Sequence, residues 1–121
     1  MNAPGVQWIL DFHGCPFESL ARAEFLRAAL LDAAARAGAT VLGERFHQFD
    51  PYGASGVLLL AESHLSIHTW PERRFAAADL FLCGSGLDAE GAIETLREAL
   101  RPERLLRRRL ARGAALLRSR A

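Results

Sequence analysis

Between Thr40 and Cys83 the chain passes through four strand-like runs with no helix-length pattern between them. The runs are Thr40 to Phe49, Gly56 to Ala61, His64 to Trp70 and Phe75 to Cys83, divided by Pro51-Tyr52-Gly53, by the polar pair Glu62-Ser63 and by Pro71. Connections this short suit antiparallel pairing rather than parallel crossovers. Another strand, Val6 to Phe12, comes first and is stopped by Gly14-Cys15-Pro16, and Arg104 to Leu110 makes a last one. From Glu18 to Ala37 the apolar residues Leu20, Phe25, Leu26, Ala29 and Leu30 share one face, predicting an amphipathic helix ended by Gly38. Asp88 is a fitting N-cap for a second helix that carries Ile93, Leu96, Ala99 and Leu100 and stops before Pro102. The order β-α-β-β-β-β-α-β predicts an α+β two-layer sandwich: a mainly antiparallel β-sheet with two helices packed on one face. The other face calls for cover, such as a second subunit. Gly56 to Ala61 reads as fully buried by its composition, and residues from Gly113 to Ala121 read as a frayed tail.

A chain of 121 residues suits a single domain spanning 1–121, and its 50% hydrophobic content and net charge of +1 exclude a disordered or generally nucleic-acid-binding chain. The arginines from Arg101 onward read as a solvated edge strand and tail, so no nucleic-acid partner is expected. Cys15 and Cys83 lie far apart and fit neither a disulfide scaffold nor a CxxC pair; two reduced thiols are expected. The opening Met1-Asn2-Ala3-Pro4-Gly5 has no basic leader, and the apolar runs fall short of a bilayer span. The expectation is a cytoplasmic protein without a membrane partner. All 15 basic residues are arginine. With no lysine, the chain cannot anchor pyridoxal phosphate through an internal Schiff base.

The centre of interest is Leu58 to Glu72, where Glu62-Ser63 breaks an apolar strand and His64, Ser66, His68, Trp70 and Glu72 follow. Buried polar groups cost free energy unless they are satisfied or used. A strand edge with ordinary surface histidines is the plain reading. His64 and His68 are spaced HxxxH, but on a strand their rings lie about 13 Å apart, so no metal site is expected. A nucleophilic reading has several combinations: Ser63, Ser55 or Cys83 with His64 or His68 and with Glu62 or Glu72. No G-x-S-x-G elbow supports a hydrolase. Cys83 is either a packing cysteine or a placed thiol acid.

Three ordered blocks carry a resemblance: Phe46-His47-Gln48-Phe49-Asp50-Pro51-Tyr52-Gly53-Ala54-Ser55-Gly56, then Ala61-Glu62-Ser63-His64-Leu65-Ser66-Ile67-His68-Thr69-Trp70-Pro71-Glu72, then Ala78-Asp79-Leu80-Phe81-Leu82-Cys83-Gly84. With this spacing the chain resembles the short prokaryotic S-adenosylmethionine decarboxylases, loosely from about residue 6 to residue 110. The resemblance implies a proenzyme that cuts itself between Glu62 and Ser63 into fragments 1–62 and 63–121. Ser63 becomes a pyruvoyl group, a ketone that serves as electrophile where pyridoxal phosphate is excluded. It implies that His68 handles the proton chemistry of cleavage with Ser55 nearby, and that Cys83 is the proton donor in turnover. It further implies that Phe49 stacks on adenine and Glu72 accepts hydrogen bonds from the ribose hydroxyls. His13 stands where the family commonly has tyrosine or phenylalanine, on the other side of the adenine; imidazole stacks but is smaller and titrates. A regular strand puts Ser63 and His68 on opposite faces, so a bend or bulge is expected at the cleavage point.

By the same resemblance the partner is a small-molecule substrate, S-adenosylmethionine, decarboxylated to supply the aminopropyl donor of spermidine synthesis. The assembly is a homodimer of processed protomers with active sites near the interface. Similar proteins use pyruvoyl chemistry on ornithine or arginine; there an acid such as Asp11 or Glu72 would bind the distal cation. A chain of this type that never cleaves and acts as a binding or regulatory partner is the remaining alternative.

Overall fold

The structure is a computed structural model describing residues 4–118. Its strands are β1 (Gly5–His13), β2 (Val41–Gln48), β3 (Ala54–Leu60), β4 (Ser63–Trp70), β5 (Phe75–Leu82) and β6 (Arg104–Arg112). The helices are α1 (Ala23–Ala37), α2 (Ala89–Leu100) and a short α3 (Ala114–Arg118), with 3-10 turns at Phe17–Ser19 and Pro71–Arg73. The strands form one sheet in the order β2-β3-β4-β5-β1-β6, antiparallel at every pairing. β1 inserts between β5 and β6, and the antiparallel β4–β5 pairing, with Ser63 opposite Leu82, puts the polar turn at 61–62 beside the end of β5.

Alternation along the strands sends one set of side chains to the helices. Leu10, Phe12, Leu58, Leu65, Ile67 and Leu80 are buried there, against Leu26 and Leu30 of α1 and Ile93, Leu96 and Leu100 of α2. Each such side chain contributes about 1.5–3 kcal/mol by leaving water. Ala29, Ala33, Ala34 and Ala37 complete the buried stripe of α1, and their small side chains let the helix lie close to the sheet. Gly38, at φ 79°, ends α1 in the left-handed conformation. Asp88 caps α2 by accepting from the Gly91 N–H at 2.8 Å.

Three expectations are corrected. The first helix starts at Ala23 rather than Glu18, because its entry is fixed by a distant side chain: Ala23 N donates to Gln48 Oε1 at 2.6 Å. Leu20 is buried ahead of the helix, and Phe25 points outward. β3 is not fully buried: Val57 and Leu59 are 38% and 56% exposed, since helices cover only one face of the sheet. The tail is not wholly frayed, because residues 114–118 form α3; residues 119–121 lie outside the described part.

The uncovered face is a grid set by the register. One row across it runs His47, Ser55, His68, Ala77, Asp11 and Leu106; the next toward one end runs Trp70, Phe75, His13 and Arg104. Toward the opposite end lies Leu59, His64, Phe81 and Gln7. Among the described residues no helix is long and apolar enough to cross a membrane.

Candidate active site

Ala61 and Glu62 form the two-residue tip between β3 and β4, closed by the pair Leu60 and Ser63. Ser63 has φ 140°, a region that side chains avoid and glycine tolerates. Holding serine there costs of order 1–3 kcal/mol. No register shift accompanies it in β3–β4 or β4–β5; the shift in this sheet lies between Val41 and Gly43 of β2. The expected bulge is therefore replaced by a local backbone rotation at Ser63.

The Glu62 carbonyl oxygen accepts from Cys83 twice, from the backbone N–H at 2.9 Å and from Sγ at 3.1 Å. Ser63 pairs with Leu82 across β4–β5, which brings the following residue, Cys83, to this carbonyl. Two donors on one carbonyl polarise it and stabilise negative charge that builds on its oxygen under attack. Cys83 is exposed and unbonded to Cys15, which is also free. Cys15 is the packing cysteine of the pair: it is fully buried, and burial pushes its thiol up to about 11 against a smaller opposing effect of Arg74.

The second cluster lies at the far end of β4. Ser55 Oγ and His68 Nδ1 share a hydrogen bond of 2.7 Å, a consequence of their facing register in β3–β4. They line a cavity of about 280 Å³ together with Phe49, Tyr52, Trp70 and Glu72. Glu72 comes from the turn that Pro71 opens. Phe49 begins a loop pinned by Gln48, whose Nε2 donates to the carbonyls of Ala21, Phe49 and Gly53 at 2.9–3.0 Å. His47 meets Phe49 edge-on, with ring centroids 4.7 Å apart.

The sequence-predicted residues thus fall into two groups. Glu62, Ser63 and Cys83 meet at one end; Ser55, His68, Phe49 and Glu72 meet at the other. Five residue steps of extended β4 take the chain from Ser63 to His68, about 17 Å along the strand. His13 is outside the Phe49 cavity: its ring meets Phe75 at a tilt with centroids 4.9 Å apart, and Phe75 stacks on Trp70 at 5.5 Å. Tyr52 and Trp70 were not assigned from sequence, although both stand beside assigned residues. The role of Gln48 at the start of α1 carries no local signal, because Ala21 and Ala23 lie 27 and 25 residues away.

Fold and relatives together define a class, the α+β decarboxylases. The chain matches the family described as S-adenosylmethionine decarboxylase over residues 6–113. It is 46% identical over 99 residues to an S-adenosylmethionine decarboxylase proenzyme of Acidithiobacillus ferrooxidans, covering 82% of this chain and 74% of the relative. A proenzyme of that name from Brevibacillus brevis is 47% identical over 104 residues, covering 86% and 78%. The crystal structure of the adenosylmethionine decarboxylase from Aquifex aeolicus VF5 superposes with a TM-score of 0.88 at 35% identity, covering 93% of both chains. A Trypanosoma brucei AdoMetDC-delta26 monomer, at 16% identity and TM-score 0.62, shares the fold over 84% of this chain and 44% of its own. The chain belongs to the S-adenosylmethionine decarboxylase family.

Proposed function

We propose that this chain is a self-processing, pyruvoyl-dependent decarboxylase of S-adenosylmethionine. The observation that carries the reading is the Glu62-Ser63 bond, with serine at φ 140° and the carbonyl held by both donors of Cys83. Relatives named for this substrate, at 46–47% identity, support it over ornithine or arginine.

In cleavage, Ser63 Oγ adds to the Glu62 carbonyl carbon while the Cys83 donors take up the charge on the oxygen. The C–N bond breaks as the proton lost from the Ser63 hydroxyl passes to the nitrogen, which becomes a free amine, and an ester links Glu62 to the Ser63 side chain. Removal of the Ser63 α-proton expels the Glu62 carboxylate. The dehydroalanine left behind takes up one water and releases ammonia, leaving pyruvoyl at position 63 and fragments 1–62 and 63–121.

The residues fit such a group: it would start β4 beside the Cys83 thiol, in a chain whose basic residues include no lysine. When present, it supplies a ketone that captures the substrate amine and accepts the electrons released with carbon dioxide. Around it, Cys83 Sγ returns a proton to the substrate α-carbon. The Glu72 carboxylate accepts from the ribose diol, and the Phe49 ring stacks on adenine with Tyr52 and Trp70 beside it. His13 touches Phe75, whose ring stacks on the Trp70 that lines this cavity.

The separation of about 17 Å along β4 supports a two-chain site. Two copies laid open face to open face about a twofold axis bring the Ser55–His68 end of one over the Ser63 end of the other. His68 then moves the Ser63 α-proton, with Ser55 holding its ring. The exposed Val57, Leu59, Trp70 and Leu106 on or beside this face supply apolar area for the contact.

Carbon dioxide release from carboxyl-labelled S-adenosylmethionine, ornithine and arginine tests the reading. The expected result is release from S-adenosylmethionine alone, and none from Ser63→Ala. Release by Ser63→Ala at the wild-type rate ends the proposal.

A further inference from the structure

The tip at 61–62 is held from a second side. Thr40, just ahead of β2, accepts from the Ala61 N–H at 2.8 Å, and its own N–H donates to Glu62 Oε1 at 3.0 Å. Thr40 is itself tied to the helix layer: it follows the α1 cap, where Gly38 N–H bonds back to Ala35 O and Ala39 N–H to Ala34 O. The Glu62 side chain has this backbone N–H as its only hydrogen-bond partner among the described residues.

We infer that the Glu62 carboxylate is a positioning residue for cleavage of its own peptide bond, locking the hairpin tip to Thr40 so that the strain at Ser63 cannot relax. This rests on the self-cleavage reading above. A two-residue tip with serine at φ 140° has two routes to relief. One turns the 62–63 peptide over, and the Cys83 donors on the Glu62 carbonyl oppose it. The other swings residues 61–62 off the sheet end, and the Thr40 pair opposes that. With both closed, the carbonyl stays aimed at the Cys83 donors. Glu62 acts here through the reach of an acceptor oxygen, not through its charge.

Reach and charge are separable by substitution. Glu62→Gln keeps an acceptor oxygen at the same distance and loses the charge; Glu62→Asp keeps the charge and falls one methylene short. Cleavage is followed by denaturing gel and intact mass in a chase after cell-free translation. The expected rates are a slowing of about two- to threefold for E62Q and about tenfold for E62D and E62A. In the uncleavable S63A background, hydrogen exchange of the Thr40 amide should stay protected with E62Q and lose protection with E62D. E62D faster than E62Q, or equal rates for all variants with a cleaving wild type, overturns the inference alone. A wild-type chain that never cleaves overturns the self-cleavage reading and this inference with it.

Discussion

Replacing Gln48 by alanine removes a side chain that, with Arg22 bonded to the Pro51 carbonyl, ties the start of α1 to the loop carrying Phe49. Its carboxamide accepts from Ala23 N and offers two protons to three carbonyls, those of Ala21, Phe49 and Gly53. Counting two donated bonds and one helix-entry bond at about 1 kcal/mol each, and discounting for the water that reaches Ala23 and Phe49, gives a loss of about 2–3 kcal/mol. For a domain of this length that is a fall in Tm of roughly 10 °C. The freed loop also stops holding Phe49 against the cavity that contains Ser55, His68 and Glu72. KM for S-adenosylmethionine should rise several-fold while kcat changes less. Thermal unfolding followed by tryptophan fluorescence and steady-state carbon dioxide release measure the two effects. Q48E sharpens the test, because at neutral pH it sets a carboxylate against the three carbonyls. It should be at least as destabilising as Q48A and recover as the pH falls and the carboxyl gains a proton to donate. A Tm within a degree of wild type with unchanged KM for Q48A, or a Q48E variant more stable than Q48A at pH 7, would refute the reasoning.

The two cysteines should behave oppositely: iodoacetamide labels Cys83 in the native protein and spares Cys15 until unfolding, as peptide mapping will show. Burial holds the Cys15 proton to about 11 in the folded chain against 9.0 as its ordinary value. Between those pH values the unfolded state ionises and the native state does not, so stability falls as pH rises through this window. Cys15→Ala should flatten that part of the curve of denaturation midpoint against pH; a slope unchanged in the variant contradicts the assignment. Co-expression of a Ser63→Ala chain with a His68→Ala chain tests the two-chain site. Mixed dimers should hold one intact site, cleave the His68→Ala chain and restore roughly a quarter of wild-type activity for random pairing. No recovery over either variant alone, in dimers shown to be mixed, contradicts the shared site.

Much of the layout is legible locally. Asp88 announces α2 because an N-cap bonds within its own turn, and Gly38 ends α1 because only the backbone conformation of that residue is needed. The four runs from Thr40 to Cys83 become β2 to β5 because short connections leave antiparallel pairing as the natural outcome. The start of α1 is not legible, since its cap comes from Gln48, 25 residues away. Nor is the exposure of Val57 and Leu59: an apolar run looks the same whether one face of its sheet is covered or two. The Glu62-Ser63 pair stands out because it interrupts such a run. The grip of Cys83 on its carbonyl follows only once the β4–β5 register is known. The distance between Ser63 and His68 is legible once this stretch is read as a strand, since five residue steps of extended chain fix it. Thr40 acts through its main chain and leaves no trace in residue type.

The central claim is that the chain cuts itself at 62–63 and keeps an electrophile there. Intact mass of the purified protein under denaturing conditions measures this directly. The account predicts two fragments, 1–62 and 63–121, the second lighter by one ammonia than a fragment beginning with serine. A single full-length mass in a protein that still decarboxylates S-adenosylmethionine would contradict it.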